Sequence, residues 1–141
     1  MAEATPAMNT KPVPREDAES APFWRAVHEG RFVLPTCGDC GKRHFYPRAL
    51  CPHCRSLNVK FAPAAGQGTI YSYTVNRQPA GAEFAADVPY VVALVTLDEG
   101  PRMLTRIVNT TPEWVKIGQR VSFVPVRISD DVSLPCFEIQ A

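Results

Sequence analysis

The sequence predicts a mainly β protein: an N-terminal helix, a small ribbon held by cysteines, then a five-stranded barrel. Three observations predict it. Four of the five cysteines fall in residues 37–54 as two C-x-x-C pairs. A short capped apolar stretch precedes them. Five runs rich in β-branched and aromatic residues follow residue 66. With 141 residues, the chain has room for one ordinary domain or a stapled mini-domain joined to a small one.

Taken in order, residues 1–15 are rich in Ala, Pro and Thr and lack apolar periodicity. A disordered tail is therefore expected over residues 1–19. The tail has no apolar core and turns acidic, unlike a secretory leader. No run of about 18 apolar residues exists to span a membrane. The expectation is a cytoplasmic protein, where thiols stay reduced and paired cysteines bind metal more often than they form disulfides. Over residues 20–33 a helical segment is expected: Ser20 as cap, Pro22 in the first turn, Gly30 as stop. Phe23, Trp24 and Val27 share one face of this short helix, which is too short to stand alone. The face must dock on the protein's own body or on a partner.

Residues 34–61 form the expected ribbon, within a cysteine segment over 31–61 that has "RFVLP" and "RHFYP" as short extended pieces. Cys37 and Cys40 make one C-x-x-C turn and Cys51 and Cys54 another, ten residues apart. Each turn puts two thiolates on one side of an ion, and two turns close a tetrahedron. Zinc is the expected metal; the same geometry accepts iron. A redox dithiol needs one such pair at a helix start, not two facing turns. Four thiolates leave no open position to activate water, so the metal is expected to be a staple. His44 and His53 lie nearby as reserve ligands. Cys136 stands alone in a strand pattern, the usual setting of a core thiol.

The barrel is expected over residues 66–141. "GTIYSYTV", "PYVVALVTL", "RMLTRIV", "RVSFVPVRI" and "SLPCFEIQ" are its strands, with "DEGP" turning the second into the third. Five short strands in so little chain suit a closed Greek-key barrel of the OB type; an SH3-like barrel fits almost as well. The loop "NRQPAGAEFAADV" is long for a hairpin, and such loops are usually functional or disordered.

Net charge is +1, but residues 31–60 hold six basic side chains against Asp39 alone. This basic island suits an anion or is solvated surface. Catalytic signatures are missing: there is no G-x-S-x-G elbow, P-loop or G-x-G-x-x-G. Asp98/Glu99 and Asp130/Asp131 fall in turns, where acids serve local hydrogen bonds. Tyr71 and Tyr73 alternate on one strand, where nucleobases stack in single-strand binders, with Arg77 nearby. A barrel half with more acidic than basic residues argues against nucleic acid.

The order "APFWRAVHEGRFVLPTCGDCGKRHFYPRALCPHC", "GQGTIYSYTV", "PYVVALVTLDEGPRMLTRIV", "IGQRV" resembles the acyl-CoA-associated family called domain of unknown function 35. The likeness runs from about Ser20 to the C-terminus. It implies a rubredoxin-like zinc ribbon followed by an OB-fold, with Cys37, Cys40, Cys51 and Cys54 as the metal ligands. It implies a non-catalytic accessory subunit in a hetero-oligomer with a thiolase-like enzyme (acyltransferase or retro-aldolase) or a MaoC-like enoyl-CoA hydratase. The partner would supply the catalytic groups, and the complex would bind a CoA thioester. Arg43, Arg48 and Arg55 are then candidate neighbours of the CoA phosphates, because arginine forks match phosphate oxygens. The alternative is an OB-fold that binds single-stranded nucleic acid. One departure from the family is Arg55, where the second cysteine turn commonly has glycine.

Overall fold

A computed structural model describes residues 11–140. The element order is α1 (Ala21–His28), β1 (Val33–Cys37), β2 (Val59–Pro63), β3 (Gln67–Asn76), β4 (Tyr90–Leu97), β5 (Arg102–Val108), β6 (Arg120–Arg127) and β7 (Ser133–Ile139). The class is the expected one: mostly β, one N-terminal helix, a two-stranded ribbon and a closed five-stranded barrel.

The expected tail lies outside the described residues as far as residue 10. Residues 11–19 carry no helix or strand, yet they make contacts. Lys11 Nζ lies 2.5 Å from Asp87 and over the Phe84 ring. The segment thereby pins the long β3–β4 loop, which holds a 3₁₀ turn at Ala82–Phe84. Arg106 reaches the same Asp87 from β5.

Ser20 holds the N-cap position and Pro22 the first turn, as expected, but the Ser20 side chain makes no cap hydrogen bond. It pairs with Asp17 in the preceding turn: Asp17 Oδ1 accepts from Ser20 N at 2.8 Å, while Ser20 Oγ accepts from Asp17 N at 3.1 Å. This reciprocal pair has the logic of a capping box, one turn earlier than the apolar face suggests. The stop is as expected: Gly30 sits at φ +81°, Gly30 N donates to Val27 O and Arg31 N to Ala26 O, a Schellman ending that glycine permits.

The helix face docks on the protein itself. Phe23 and Val27 are fully buried, and Phe23 packs edge-on against Trp24 and Phe32 and tilted against Phe45. Trp24 is only partly buried, and its indole donates to Tyr46 Oη at 3.0 Å. On the far side, His28 Nδ1 meets the buried Ser133 Oγ at 2.9 Å, tying α1 to β7.

The ribbon's second strand is β2, after the second cysteine pair, and pairs antiparallel with β1 from Val33↔Pro63 to Cys37↔Val59. "RHFYP" contributes only an isolated bridge, Thr36↔Arg43. "VKFAP" alternates too weakly, with no fully buried residue, to announce itself as a strand.

The barrel order is β3-β4-β5-β7-β6, closed by β3–β6 pairing. The β5–β7 contact is parallel, through Ile107↔Phe137 and Val108↔Glu138, and the other pairs are antiparallel. β4 shows why the chain chooses strands: Val91, Ala93, Val95 and Leu97 point inward at period two. Met103, Ile107, Val121 and Phe137 meet them from the other strands, and the one core continues into Phe23, Val27 and Leu34. Thr105 enters the core with its hydroxyl satisfied, donating to Pro135 O at 2.7 Å. Gly68 sits where β3 pairs with both neighbours. A Cβ there would stand 2.6 Å from Thr96 O, so the strand coils tightly only with glycine.

Candidate metal centre and the ribbon–barrel cleft

The four expected thiols converge. Sγ of Cys37 lies 3.5 Å from Cys54 and Sγ of Cys40 lies 3.7 Å from Cys51. All four sulfurs fall within 4.8 Å of one another. Sulfurs about 2.3 Å from a tetrahedral zinc stand about 3.8 Å apart, so the spacing fits one ion. Neither histidine belongs to the cluster. His53 turns its Nε2 to Arg43 O at 3.3 Å, and His44 is buried away from the sulfurs' company.

The backbone builds each turn. Gly41 N donates to Cys37 O and Arg55 N to Cys51 O, both at 2.9 Å. Cys40 N points at Cys37 Sγ, and His53 N at Cys51 Sγ. These N–H groups favour thiolate. Backbone hydrogen bonding from Cys40, joined by that of Asp39, holds Cys37 down to about 6, against the effect of burial. At Cys51 burial pushes upward, but N–H groups of Cys54 and His53 outweigh it and the thiol is lowered. Cys54 gains from Ser56 N–H, yet the neighbouring thiols Cys37, Cys40 and Cys51 push it up to about 12. Crowded sulfurs resist ionising together, and a dication is the charge that lets all four do so.

Three polar residues that the cysteine pattern did not single out brace the two turns. Asp39 accepts from Ser56 Oγ and from Asn58 Nδ2, and Ser56 Oγ accepts from Asn58 N. These bonds, Ser56 Oγ first, hold Asp39 below the usual carboxylate range. The only signal in the sequence is a short acid inside one C-x-x-C turn and short polar residues just after the other.

Arg55 stands at φ +65°, the left-handed region where a side chain is strained. Arg55→Gly is expected to stabilise the ribbon by about 0.5–1 kcal/mol, the relief of strain less the entropy that glycine loses on folding. A chemical-denaturation series on both proteins measures it. A destabilised Arg55→Gly would show that the arginine makes a contact worth more than its strain.

Of the three arginines proposed near phosphate, Arg43 lines a cleft beside the ribbon. That cleft, of about 600 Å³, lies between the ribbon and the β4–β5 hairpin, with Lys42, His53, Glu99 and Arg102 around it. Arg48 and Arg55 do not line it. Asp98 and Asp130 pair with Arg120 and Arg127, as acids in turns are expected to do, whereas Glu99 reaches back to accept from Ala65 N. Cys136 is buried, and burial pushes its thiol up to about 11, as for an inert core cysteine. Tyr71 and Tyr73 are both exposed, but the Arg102 guanidinium covers the Tyr71 ring at 3.7 Å, where a base would stack.

A thiol-walled ribbon packed on an OB-type barrel defines the class: a structural metal ribbon joined to an OB-fold. The sequence profile of the "ChsH2, rubredoxin-like zinc ribbon domain" matches residues 24–60, and that of the "ChsH2, C-terminal OB-fold domain" residues 62–126. A "DUF35 domain-containing scaffold protein" of Methanocaldococcus jannaschii is 36% identical over 77% of this chain and 77% of its own length. The chain belongs to the DUF35 family. A "Probable enoyl-CoA hydratase alpha subunit" of Thermomonospora curvata is 35% identical over 90% of this chain, which spans only 39% of that protein. Among solved structures, a chain of the "Ltp2-ChsH2(DUF35) aldolase" superposes with a TM-score of 0.80, at 34% identity, over 90% of this chain and 98% of its own. The zinc-ribbon match and the four clustered thiols together support a structural metal.

Proposed function

We propose that this protein is a non-catalytic accessory subunit of an acyl-CoA-processing complex. Its partner is a thiolase-like acyltransferase or retro-aldolase, or a MaoC-like enoyl-CoA hydratase, and works in the cytoplasm. The observation that carries this reading is the near-complete overlap with the DUF35 chain of an aldolase, at a shared identity well above chance. The relatives named as scaffolds and as a hydratase subunit support it. Among the described residues no helix is long and apolar enough to cross a membrane.

In this reading Cys37, Cys40, Cys51 and Cys54 bind zinc, which supplies rigidity and no chemistry of its own. The surface has what a partner needs. Leu104, Trp114 and Ile117 are 64%, 70% and 66% exposed, and aromatic and aliphatic side chains of this kind anchor protein interfaces. The complex binds the CoA thioester, and the partner brings the catalytic groups.

Gentle affinity purification from the native cells, with mass spectrometry of what stays bound, tests the proposal. A thiolase-like or hydratase protein in stoichiometric amount is expected. A bare protein, or one carrying RNA or DNA, overturns it.

A further inference from the structure

β3 runs well past the strand that closes the barrel on it. On one side it pairs with β4 from Gly68↔Leu97 to Asn76↔Tyr90. On the other it pairs with β6 only through Gln67, Gly68 and Thr69. Ile70 follows, its N–H donating to Gln119 O and its C=O accepting from Gly118 N. Beyond Ile70, among the described residues, no backbone group of β3 has a partner on that side. Tyr71, Ser72, Tyr73 and Thr74 are all exposed. In an antiparallel ladder alternate residues turn N–H and C=O away from the neighbouring strand. The open side of β3 therefore presents unused donors and acceptors.

Open strand edges invite further pairing, and proteins blunt them with proline or charge. The other open edges of the described residues are blunted in that way. β1 holds Pro35, and β2 holds Lys60 and Pro63. Where β5 parts from β7, β5 carries Arg102 and Arg106 and β7 carries Pro135. β6 carries Pro125 and Arg127 past its contact with β3. The open part of β3, "IYSYTVN" over residues 70–76, has neither proline nor charge. A bulge at Tyr71 begins it, but Ser72 to Asn76 keep unbroken register with β4.

This regular stretch is complementary to itself. Laid antiparallel on a second copy about Thr74, it sets Thr74 opposite Thr74, Tyr73 opposite Val75 and Ser72 opposite Asn76. Thr–Thr and aromatic–β-branched pairs are among the favourable cross-strand kinds, and no like charges meet. A two-fold axis repeats each contact, so the pairing closes as a dimer and does not extend into a fibre. We propose that the open edge of β3 pairs with the same edge of a second copy of this chain. The two barrels then share one continuous sheet, β5-β4-β3-β3-β4-β5. Such a dimer does not depend on the accessory-subunit reading. The paired stretch is short, at the small end of specific interfaces, so the dimer is expected to form over about 10–100 μM.

Sedimentation equilibrium of the zinc-loaded full chain between about 5 and 500 μM tests the pairing. A monomer–dimer equilibrium is expected, with hydrogen exchange over residues 72–76 slowing as concentration rises. Thr74→Lys and Thr74→Glu each put like charges face to face across the two-fold axis. Each is expected to weaken self-association by about fivefold or more. An equimolar mixture of the two variants is expected to restore it, which misfolded chains cannot do. A wild type that stays monomeric throughout, a dimer that Thr74→Lys leaves unchanged, or a mixture that stays dissociated overturns the proposal. Affinity purification of the wild type and of Thr74→Lys identifies the other occupant. An acyl-CoA enzyme lost from Thr74→Lys, with a wild type that is monomeric alone, gives the edge to a strand of that enzyme and overturns self-pairing. A dimer that responds to charge as expected, with no such enzyme bound, rejects the accessory reading and leaves the pairing standing.

Discussion

Replacing Cys37 and Cys54 with serine is expected to abolish metal binding and unfold the ribbon beyond β1, while the barrel stays folded. The two side chains come from different turns and stand 3.5 Å apart, so the double change removes half of the thiol set from both sides. Residues 38–58 contribute little to the core: only His44, Pro47 and Cys51 are buried there. Metal must supply what burial does not. Zinc binding in small finger peptides is worth about 10–16 kcal/mol at neutral pH, as much as the whole stability of an ordinary domain. Val33 and Leu34 remain anchored in the common core with Phe23 and Phe32, so the loss should stop near the start of the ribbon. Metal analysis by mass spectrometry and hydrogen exchange check both parts. The expected result is no stoichiometric zinc, lost protection over the two cysteine turns, retained protection in β4 and β5, and no partner assembly. A strong chelator should reproduce the exchange pattern in the wild type. One zinc per chain and an unchanged melting curve in the double variant would falsify the tetrathiolate staple.

Phe137→Ala is expected to cost about 3–5 kcal/mol and to lower the melting temperature by roughly 10–20 °C. Phe137 is fully buried on β7, the strand that joins β5 on one side and β6 on the other. Its ring packs against Phe32 from the ribbon's base and Phe123 from β6. Truncation therefore opens a cavity where three parts meet, and a closed barrel collapses poorly around it. Differential scanning calorimetry measures the drop. A loss below about 1 kcal/mol would mean that the neighbouring rings refill the site. The metal content should stay at one ion per chain while the variant is folded, because the thiol cluster does not touch this cavity. The two variants thus separate the two sources of stability, the ion in the ribbon and apolar burial in the barrel.

Several features were legible in the chain because they depend on neighbours close in sequence. Runs rich in β-branched and aromatic residues announced β3 to β7, and C-x-x-C spacing announced the thiol cluster. Gly30 announced the helix stop, since few other residues accept its φ of +81°. Features that depend on distant partners were not legible. β2 was hidden because its pairing with β1, rather than its own pattern, makes it a strand. Ser20 is at the N-cap as its position announced, but that its side chain would bond back to Asp17 and not forward to the helix depends on the preceding turn. The tail looked free from composition, yet Lys11 found Asp87 across the fold.

By itself the sequence determined that this protein has a ribbon closed by four thiols and a five-stranded barrel, because cysteine spacing and the β-branched, aromatic make-up of the strands are local chemistry. Only the tertiary structure decided where the helix face goes, which strand completes the ribbon, and which cations share a cleft. Arg43 and Arg102 lie far apart in the chain, and Arg48 and Arg55 lie nearer to Arg43 in sequence than Arg102 does. Packing the ribbon against the β4–β5 hairpin brings Arg102 and Glu99 to Arg43 and leaves Arg48 and Arg55 outside. Charge counted along a chain says how much is present; only the fold says which charges face one another.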